Sequence, residues 1–484
     1  MGTERFQSLV DGEWLDGGEE AVVENPSDLD SPVGVALQAA PDVVDAAVEA
    51  ARAGGEHWRS LTGAARAEAL ERVAAELLAR SDELGRLLAS EEGKTLAEAR
   101  GEVARAGQIF RFFAGEAVRL GGEVVESVRP GVEVELRHEP LGIVAAITPW
   151  NFPIAIPAWK TAPALAYGNS VILKPAELVP ASAAALAEIV QRAGVPAGAF
   201  NLVVGSGRRI GDSIVGHPGI EAVTFTGSVD VGGHVRELAA GRGARVQLEM
   251  GGKNPLVVLD DADLAVAVDC AVQGAFGSTG QRCTASSRLI VGAGIHDAFV
   301  QALVDAMARL RVGHALAEGT DIGPVVDRRQ LDQDLDYLQI GRAEGAELAA
   351  GGELVEGGDS RGWYLRPAVF IGARNDMRIC REEIFGPVAA VIRADDYEQA
   401  LAIANDTPFG LSAGICTRSL AHAADCKRRA QAGMVMVNLA TAGVDFHVGF
   451  GGRKGSSYGP REQGAQAREF FTQHKTVYTN PGAI

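Results

Sequence analysis

Between Leu141 and Gly251, short apolar runs alternate with longer amphipathic stretches, and that alternation restricts the chain to one broad architecture. Strands are expected at 142–147, 170–173, 201–204, 222–225 and 245–249, with helices at 181–193, 208–216 and 229–239. Strands and helices in regular alternation give a parallel sheet with crossover helices, because tight turns cannot join parallel neighbours. Ligands bind such sheets beyond the carboxyl ends of the strands. A second α/β series runs from 255 to about 440, where Phe299, Leu303, Met307 and Leu310 mark one helical stripe. At 484 residues the α/β chain is too long for one core, so two or three domains are expected.

Residues 40–120 read as helical, with Leu70, Val73 and Leu77 on one face and Leu84, Leu87 and Leu88 beginning another. Residues 122–139 switch period: Val132, Val134 and Leu136 alternate with charged residues after a Pro130-Gly131 turn. That is a hairpin, and two strands alone are marginal in water. The hairpin should extend another sheet, of this chain or of a second copy, and the strand-like tail from Phe470 to Thr479 is a candidate to join it.

The net charge of −18 is spread along the chain and no basic stripe is visible, which argues against nucleic-acid binding. Five cysteines, odd in number and without a Cys-x-x-Cys pair, argue against a disulfide framework or a zinc site and fit a reducing cytoplasm. Met1 to Gly12 has no apolar signal core, and no run of 18 apolar residues suggests a membrane span.

Several loops carry chemistry. Cys283, in Gly280-Gln281-Arg282-Cys283, is a candidate nucleophile, and Glu249, in Glu249-Met250-Gly251-Gly252-Lys253, is a candidate base. A free cysteine is more often a small buried hydrophobe, and at its ordinary pKa only about 3 % is thiolate at pH 7. Asn151 lies in Thr148-Pro149-Trp150-Asn151-Phe152-Pro153, a rigid loop after a strand, and its amide N–H suits an oxyanion. Phe225-Thr226-Gly227-Ser228 ends a strand and opens a helix, where free N–H groups favour a phosphate. Lys174 and Glu177, with Ala176 between them, close another strand; they either bind the hydroxyls of an adenosine ribose or form a solvated ion pair.

As a set, in this order, these motifs resemble the NAD(P)-dependent aldehyde dehydrogenase superfamily over essentially the full chain. Glu382-Glu383-Ile384-Phe385-Gly386-Pro387 and Asn405–Gly410 complete the set. The resemblance implies a Rossmann-like cofactor domain (1–121 and 140–250), an α/β catalytic domain (251–460) and a small bridging β oligomerisation arm (122–139 and 461–484). It implies Cys283 as nucleophile, Glu249 as base, and Asn151 with the Cys283 backbone N–H as oxyanion hole. Lys160 takes the family's lysine position near the Asn151 loop. The cofactor, NAD or NADP, would meet Thr148, Pro149, Trp150, Lys174, Ala176, Glu177, Gly207, Phe225, Thr226, Gly227, Ser228, Met250, Gly251, Glu383 and Phe385. A carboxylate at Glu177 favours NAD, because it would repel a 2′-phosphate. No metal is implied, and a homodimer or homotetramer is.

Within the superfamily the chain is most similar to α-ketoglutaric semialdehyde (2,5-dioxovalerate) dehydrogenases, on the segments 174–182, 278–288, 313–326 and 443–464. That implies oxidation of a carboxylate-bearing aldehyde; succinic or glutaric semialdehyde, or a broad range of aldehydes, are the alternatives. A catalytically silent protein of the same fold is disfavoured because Cys283 and Glu249 are both present. The substrate tail is expected against Phe152, Ile156, Trp159, Thr284 and Phe450, its carboxylate on Arg105 or Arg282. For each arginine a structural role is the alternative. Two departures stand out. Gly449 replaces a common proline, which should loosen the substrate entrance. Gln473 is expected where many relatives carry a glutamate implicated in proton relay, leaving a second acid–base group in doubt.

Overall fold

The computed structural model describes residues 4–355 and 360–482; residues 1–3 and 483–484 of the expected cofactor segment and arm, and 356–359 of the catalytic segment, lie outside the described residues. Two large sheets organise the chain. In the first the strand order is Ser457–Tyr458, Arg245–Glu249, Ala222–Thr226, Ile143–Ile147, Ser170–Lys174, Phe200–Leu202, Ser8–Val10 and Glu13–Leu15. Its five central strands are parallel and its outer ones antiparallel. The sequence-based strand positions agree with this to within about two residues. From Ile143–Ile147 the chain first winds one way and then returns to build Ala222–Thr226 on the other side. That reversal opens a crevice between the carboxyl ends of these two strands.

The second sheet orders Glu347–Ala350, Ala368–Ile371, Val388–Ala394, Ser286–Gly292, Asn254–Val258, Ser412–Cys416 and Met434–Val437. All neighbours are parallel except the first pair. Helix His296–Met307 buries Phe299, Leu303 and Met307 against it. Leu310, expected on the same stripe, falls beyond the helix end and is half-buried.

The helical segment resolves into Pro41–Ser60, Gly63–Ala79, Ser81–Glu92 and Leu96–Ala117. Leu70, Val73, Leu77, Leu84 and Leu88 pack into one core with Val171 and Leu173 of the first sheet. Thr95 and Glu98 form a reciprocal capping box at the start of Leu96–Ala117. The first forty residues, which show no strong period, form strands; Arg5–Phe6, Gly34–Gln38 and Glu19–Val23 make a small sheet of their own.

Strands Glu123–Glu126 and Glu133–Pro140 form the hairpin, and Thr472–Thr479 pairs along the whole of the second. The chain returns to the first domain earlier than expected. Ser457–Tyr458 pairs with Arg245–Glu249, and Ala467, Phe470 and Phe471 are buried in the first core, so the strand of the arm begins only at Thr472. Burial of the paired phenylalanines overrides the alternating pattern that suggested a strand from Phe470. Among the described residues no helix is long and apolar enough to cross a membrane.

Candidate active site

A cavity of about 940 Å3 lies between the two large sheets, and most of the expected site residues converge on it. Cys283 sits in its wall, half-buried, on a tight loop that precedes Ser286–Gly292. Ser278, Thr279 and Gly280 on that loop all have positive φ, at 48°, 56° and 67°. A Cβ on Gly280 would stand 2.2 Å from the Gly386 carbonyl oxygen, so only glycine fits there. The loop is fastened from outside: Glu98 accepts from Ser278 N at 2.7 Å and from Arg282 Nη2 at 2.9 Å. Arg282 also donates to Ser278 Oγ. Its guanidinium is therefore engaged in holding the loop, as the structural reading expects, while the residue also lines the cavity. Burial pushes the thiol pKa well up, and Glu383 and Glu249 add to the rise.

Asn151 comes from the loop after Ile143–Ile147 and is 3 % exposed. One amide N–H donates to the Gln281 carbonyl at 2.9 Å, two residues before the thiol. The other has no recorded acceptor. This anchors the amide to the nucleophile loop and leaves one donor for a developing oxyanion.

Glu249 does not line the cavity. It is 2 % exposed and turns inward, accepting from Ser457 Oγ at 2.5 Å across the antiparallel pairing. Burial raises its pKa well above the carboxylate range, with the Glu462 charge adding to the effect. Lys160, 1 % exposed, donates to Glu462 Oε1 and to Thr224 Oγ1, the latter at 2.8 Å. Burial lowers the lysine pKa despite Glu462. A second buried carboxylate thus stands near Glu249, and it is Glu462, held by Lys160. Gln473 sits exposed on the outer strand paired with Glu133–Pro140 and takes no part. Sequence reasoning missed Glu462 because it looked near the C-terminal strand; the only available signal was a carboxylate in the otherwise informative 443–464 segment.

The crevice side presents features that fit a dinucleotide. Thr148 Oγ1 and Thr226 Oγ1, at the carboxyl ends of adjacent strands, are buried without a hydrogen-bond partner. Ser228 caps helix Val229–Ala240, whose N-terminus opens into the cavity. Gly251 Cβ would lie 2.1 Å from Glu383 Oε2, so glycine is required for that carboxylate to reach the crevice. Glu383 accepts from Gly252 N at 2.7 Å and is pushed up to about 7 by burial. Phe385, at φ 62°, stands edge-on to Trp150 with ring centroids 5.4 Å apart. Pro149, Trp150, Thr226, Gly227, Ser228, Met250 and Gly251 line the cavity with them.

Lys174, Ala176, Glu177 and Gly207 do not line it. Lys174 Nζ donates to the Pro175 and Gly205 carbonyls at 2.7 and 2.9 Å, which ties the 174–177 segment beside the start of helix Gly207–Gly216. No Lys174–Glu177 ion pair forms; Glu177 is exposed. Burial brings Lys174 down to about 8. Phe225 is buried beneath the turn, its ring 2.5 Å from where a Gly227 Cβ would be.

At the other end Phe152, Ile156, Trp159, Thr284 and Phe450 make an apolar wall, with Trp159 and Phe450 5.3 Å apart. Arg105 faces the same space. Among the described residues it makes a single hydrogen bond, to Gln463 Oε1 at 3.2 Å, and its buried Nε has no partner. Gly449 is half-buried, and a Cβ there would stand 3.3 Å from Gln466 Oε1, close enough that this side-chain amide would have to shift by a few tenths of an ångström. Among the described residues no group of three or more His, Cys, Asp or Glu is arranged to hold a metal ion.

Comparison with known proteins agrees with this geometry. A profile described as the aldehyde dehydrogenase family matches residues 14–477. The α-ketoglutaric semialdehyde dehydrogenase of Bacillus subtilis is 44 % identical over 98 % of both chains. The 2,5-dioxopentanoate dehydrogenase of Saccharolobus solfataricus is 40 % identical over 98 % of this chain and 99 % of its own. Among solved structures, betaine aldehyde dehydrogenase of Staphylococcus aureus in complex with NAD+ superposes with a TM-score of 0.96 at 32 % identity, over 99 % of this chain and 96 % of that one.

Proposed function

The chain belongs to the aldehyde dehydrogenase family, and from that premise we propose that it oxidises α-ketoglutaric semialdehyde to α-ketoglutarate with NAD. One observation carries the substrate assignment: Arg105 brings a guanidinium with an unpartnered buried Nε to the far end of an apolar cavity. A carboxylate on the aldehyde's tail satisfies that donor, and a neutral aldehyde leaves it orphaned. The assignment to NAD is supported by the exposed carboxylate of Glu177, three residues past the carboxyl end of Ser170–Lys174, and by a related structure in complex with NAD+.

The chemistry follows from the side chains. Attack by the Cys283 thiolate on the aldehyde carbon forms a tetrahedral oxyanion, which the free N–H of Asn151 meets. When bound, oxidised NAD supplies positive charge near the sulfur and accepts the hydride, so that a Cys283 thioester remains. Glu249 then rotates off Ser457 to take a proton from water, and the hydroxide displaces the cysteine thiolate. Glu462, with an unpartnered Oε2 beside Lys160, is the next station for that proton. An available base of this kind supports release by water rather than by a thiol acceptor.

The arm supports a homo-oligomer. Its edge strand Glu123–Glu126 exposes Val124 at 82 %, and Val128 in the turn that follows is 99 % exposed, apolar surface that a second copy would cover.

The test is kcat/KM for α-ketoglutaric, succinic and glutaric semialdehydes against propanal, for the natural protein and Arg105→Met. The preference for acidic aldehydes should fall by about 100-fold in the variant while propanal changes little. An unchanged KM for α-ketoglutaric semialdehyde relative to propanal would sink the assignment, and a natural preference for succinic or glutaric semialdehyde would move it to that substrate.

A further inference from the structure

We propose that the buried Lys94–Glu102 ion pair is a positioning device for the oxyanion donor: it grips the Asn151 loop at both ends and so sets where the Asn151 amide points. The proposal rests on the reading of Asn151 as that donor.

Lys94 and Glu102 are 1 % and 4 % exposed. Lys94 Nζ donates to the backbone carbonyl of Asn151 at 2.6 Å and to Glu102 Oε2 at 2.7 Å. Glu102 Oε1 in turn accepts the backbone N–H groups of Ile154 and Ala155, at 3.0 and 3.1 Å. The ammonium also lies 4.0 Å from the centre of the Phe152 ring, within cation–π reach. One ion pair therefore contacts Asn151, Phe152, Ile154 and Ala155, the second half of the connection between strand Ile143–Ile147 and helix Ala155–Ala166 and the first residue of that helix. Burial works against the Lys94 charge, but Glu102 and Glu92 outweigh it and hold its pKa above the usual range. Lys94 is thus held in its charged form at physiological pH.

The clamp is built on a helix that looks like scaffolding. Glu98, Glu102 and Arg105 fall on one face of Leu96–Ala117 by their spacing of four and three. Glu98 fixes the nucleophile loop through Ser278 and Arg282, and Glu102 fixes the oxyanion loop. The single helix sets the two halves of the catalytic centre against each other. A misplacement of about 1 Å between reacting groups costs on the order of 100-fold, so a rigid frame has kinetic value.

A double-mutant cycle on the full chain tests the idea, with single-turnover NADH formation at saturating aldehyde and NAD as the readout. Asn151→Ala should lose about 100- to 1000-fold, and Lys94→Met about 10- to 100-fold in the natural background. In the Asn151→Ala background the Lys94 substitution should cost less than about 2-fold, because its effect travels through the amide already removed. Alkylation of Cys283 by iodoacetamide should keep its natural rate in Lys94→Met. Equal losses in both backgrounds, or a slowed alkylation, would show a merely structural role and overturn the proposal. No loss in Lys94→Met would also overturn it. If Asn151→Ala itself loses nothing, the oxyanion reading fails instead. Should Lys94→Met not fold, Lys94→Gln/Glu102→Gln keeps hydrogen bonding without buried charge, and the same cycle with Asn151→Ala is read.

Discussion

Two buried lysine–glutamate pairs flank the cavity, and their differences matter more than their likeness. In Lys94–Glu102 both carboxylate oxygens are engaged, and the lysine's pKa is held above the usual range. In Lys160–Glu462 the glutamate's Oε2 has no partner, the lysine's pKa is lowered, and Glu249 alongside is raised. A fully satisfied pair has one favourable arrangement of bonds and protons and so holds geometry. A pair with a spare lone pair and carboxylates that compete for protons has several arrangements close in energy and so can pass protons on. On the reading proposed above, the same residue types serve as a clamp on one side and as a proton store on the other.

That contrast breaks first at Glu249. Glu249→Gln should lower steady-state turnover about 100-fold or more while leaving a burst of one NADH per active site in stopped flow, because acylation precedes the step that needs the base. Loss of the burst along with turnover would place Glu249 in the first half-reaction. A smaller effect is expected from Glu462→Gln, about 10-fold in kcat. Its signature is the pH profile. The Glu462 charge helps hold Glu249 up, so removing it lowers the Glu249 pKa and moves the acidic limb of kcat to lower pH. No such shift is expected for Lys94→Met; the same shift in both variants would erase the distinction between clamp and store.

The smallest effect concerns stability alone. Glu92, beside the clamp, is raised to about 8 by burial, against the pull of Lys94. Its unfolded pKa is near 4.3, so between about pH 4.3 and 8 the folded state holds a proton the unfolded chain has lost. Its contribution to stability is present below that window and is lost as pH rises through 8. Glu92→Gln should therefore flatten the fall in Tm between pH 6 and 8.5 without altering the pH profile of kcat. An unflattened melting curve would mean that Glu92 is ionised in the folded protein.

Much of this was legible early. Alternating strands and helices from Leu141 to Gly251 specify a parallel sheet because period and length are local properties. The thiol, the amide of Asn151 and Glu383 sit in loops whose composition marks them. Other features had no local signal. Lys160 and Glu462 are 302 residues apart, and nothing near either one announces the other. Lys94 and Glu102 sit at a helix start where an ion pair would ordinarily be solvated, and only the fold places the Asn151 carbonyl against them. Arg282 beside the nucleophile had two readings until Glu98 was found waiting for it.

The sequence by itself determined the class of fold, the order of its elements and the candidate groups for chemistry at or beyond strand ends: the Cys283 thiol, the Glu249 carboxylate and the Asn151 amide. Periodicity and turn chemistry act over a few residues, and those features need no more. Tertiary structure decided which charges are buried together, which oxygens remain unpaired and which way Glu249 turns. Those depend on desolvation and on contacts between distant segments, and they separate a lysine whose pKa is held up from one whose pKa is lowered.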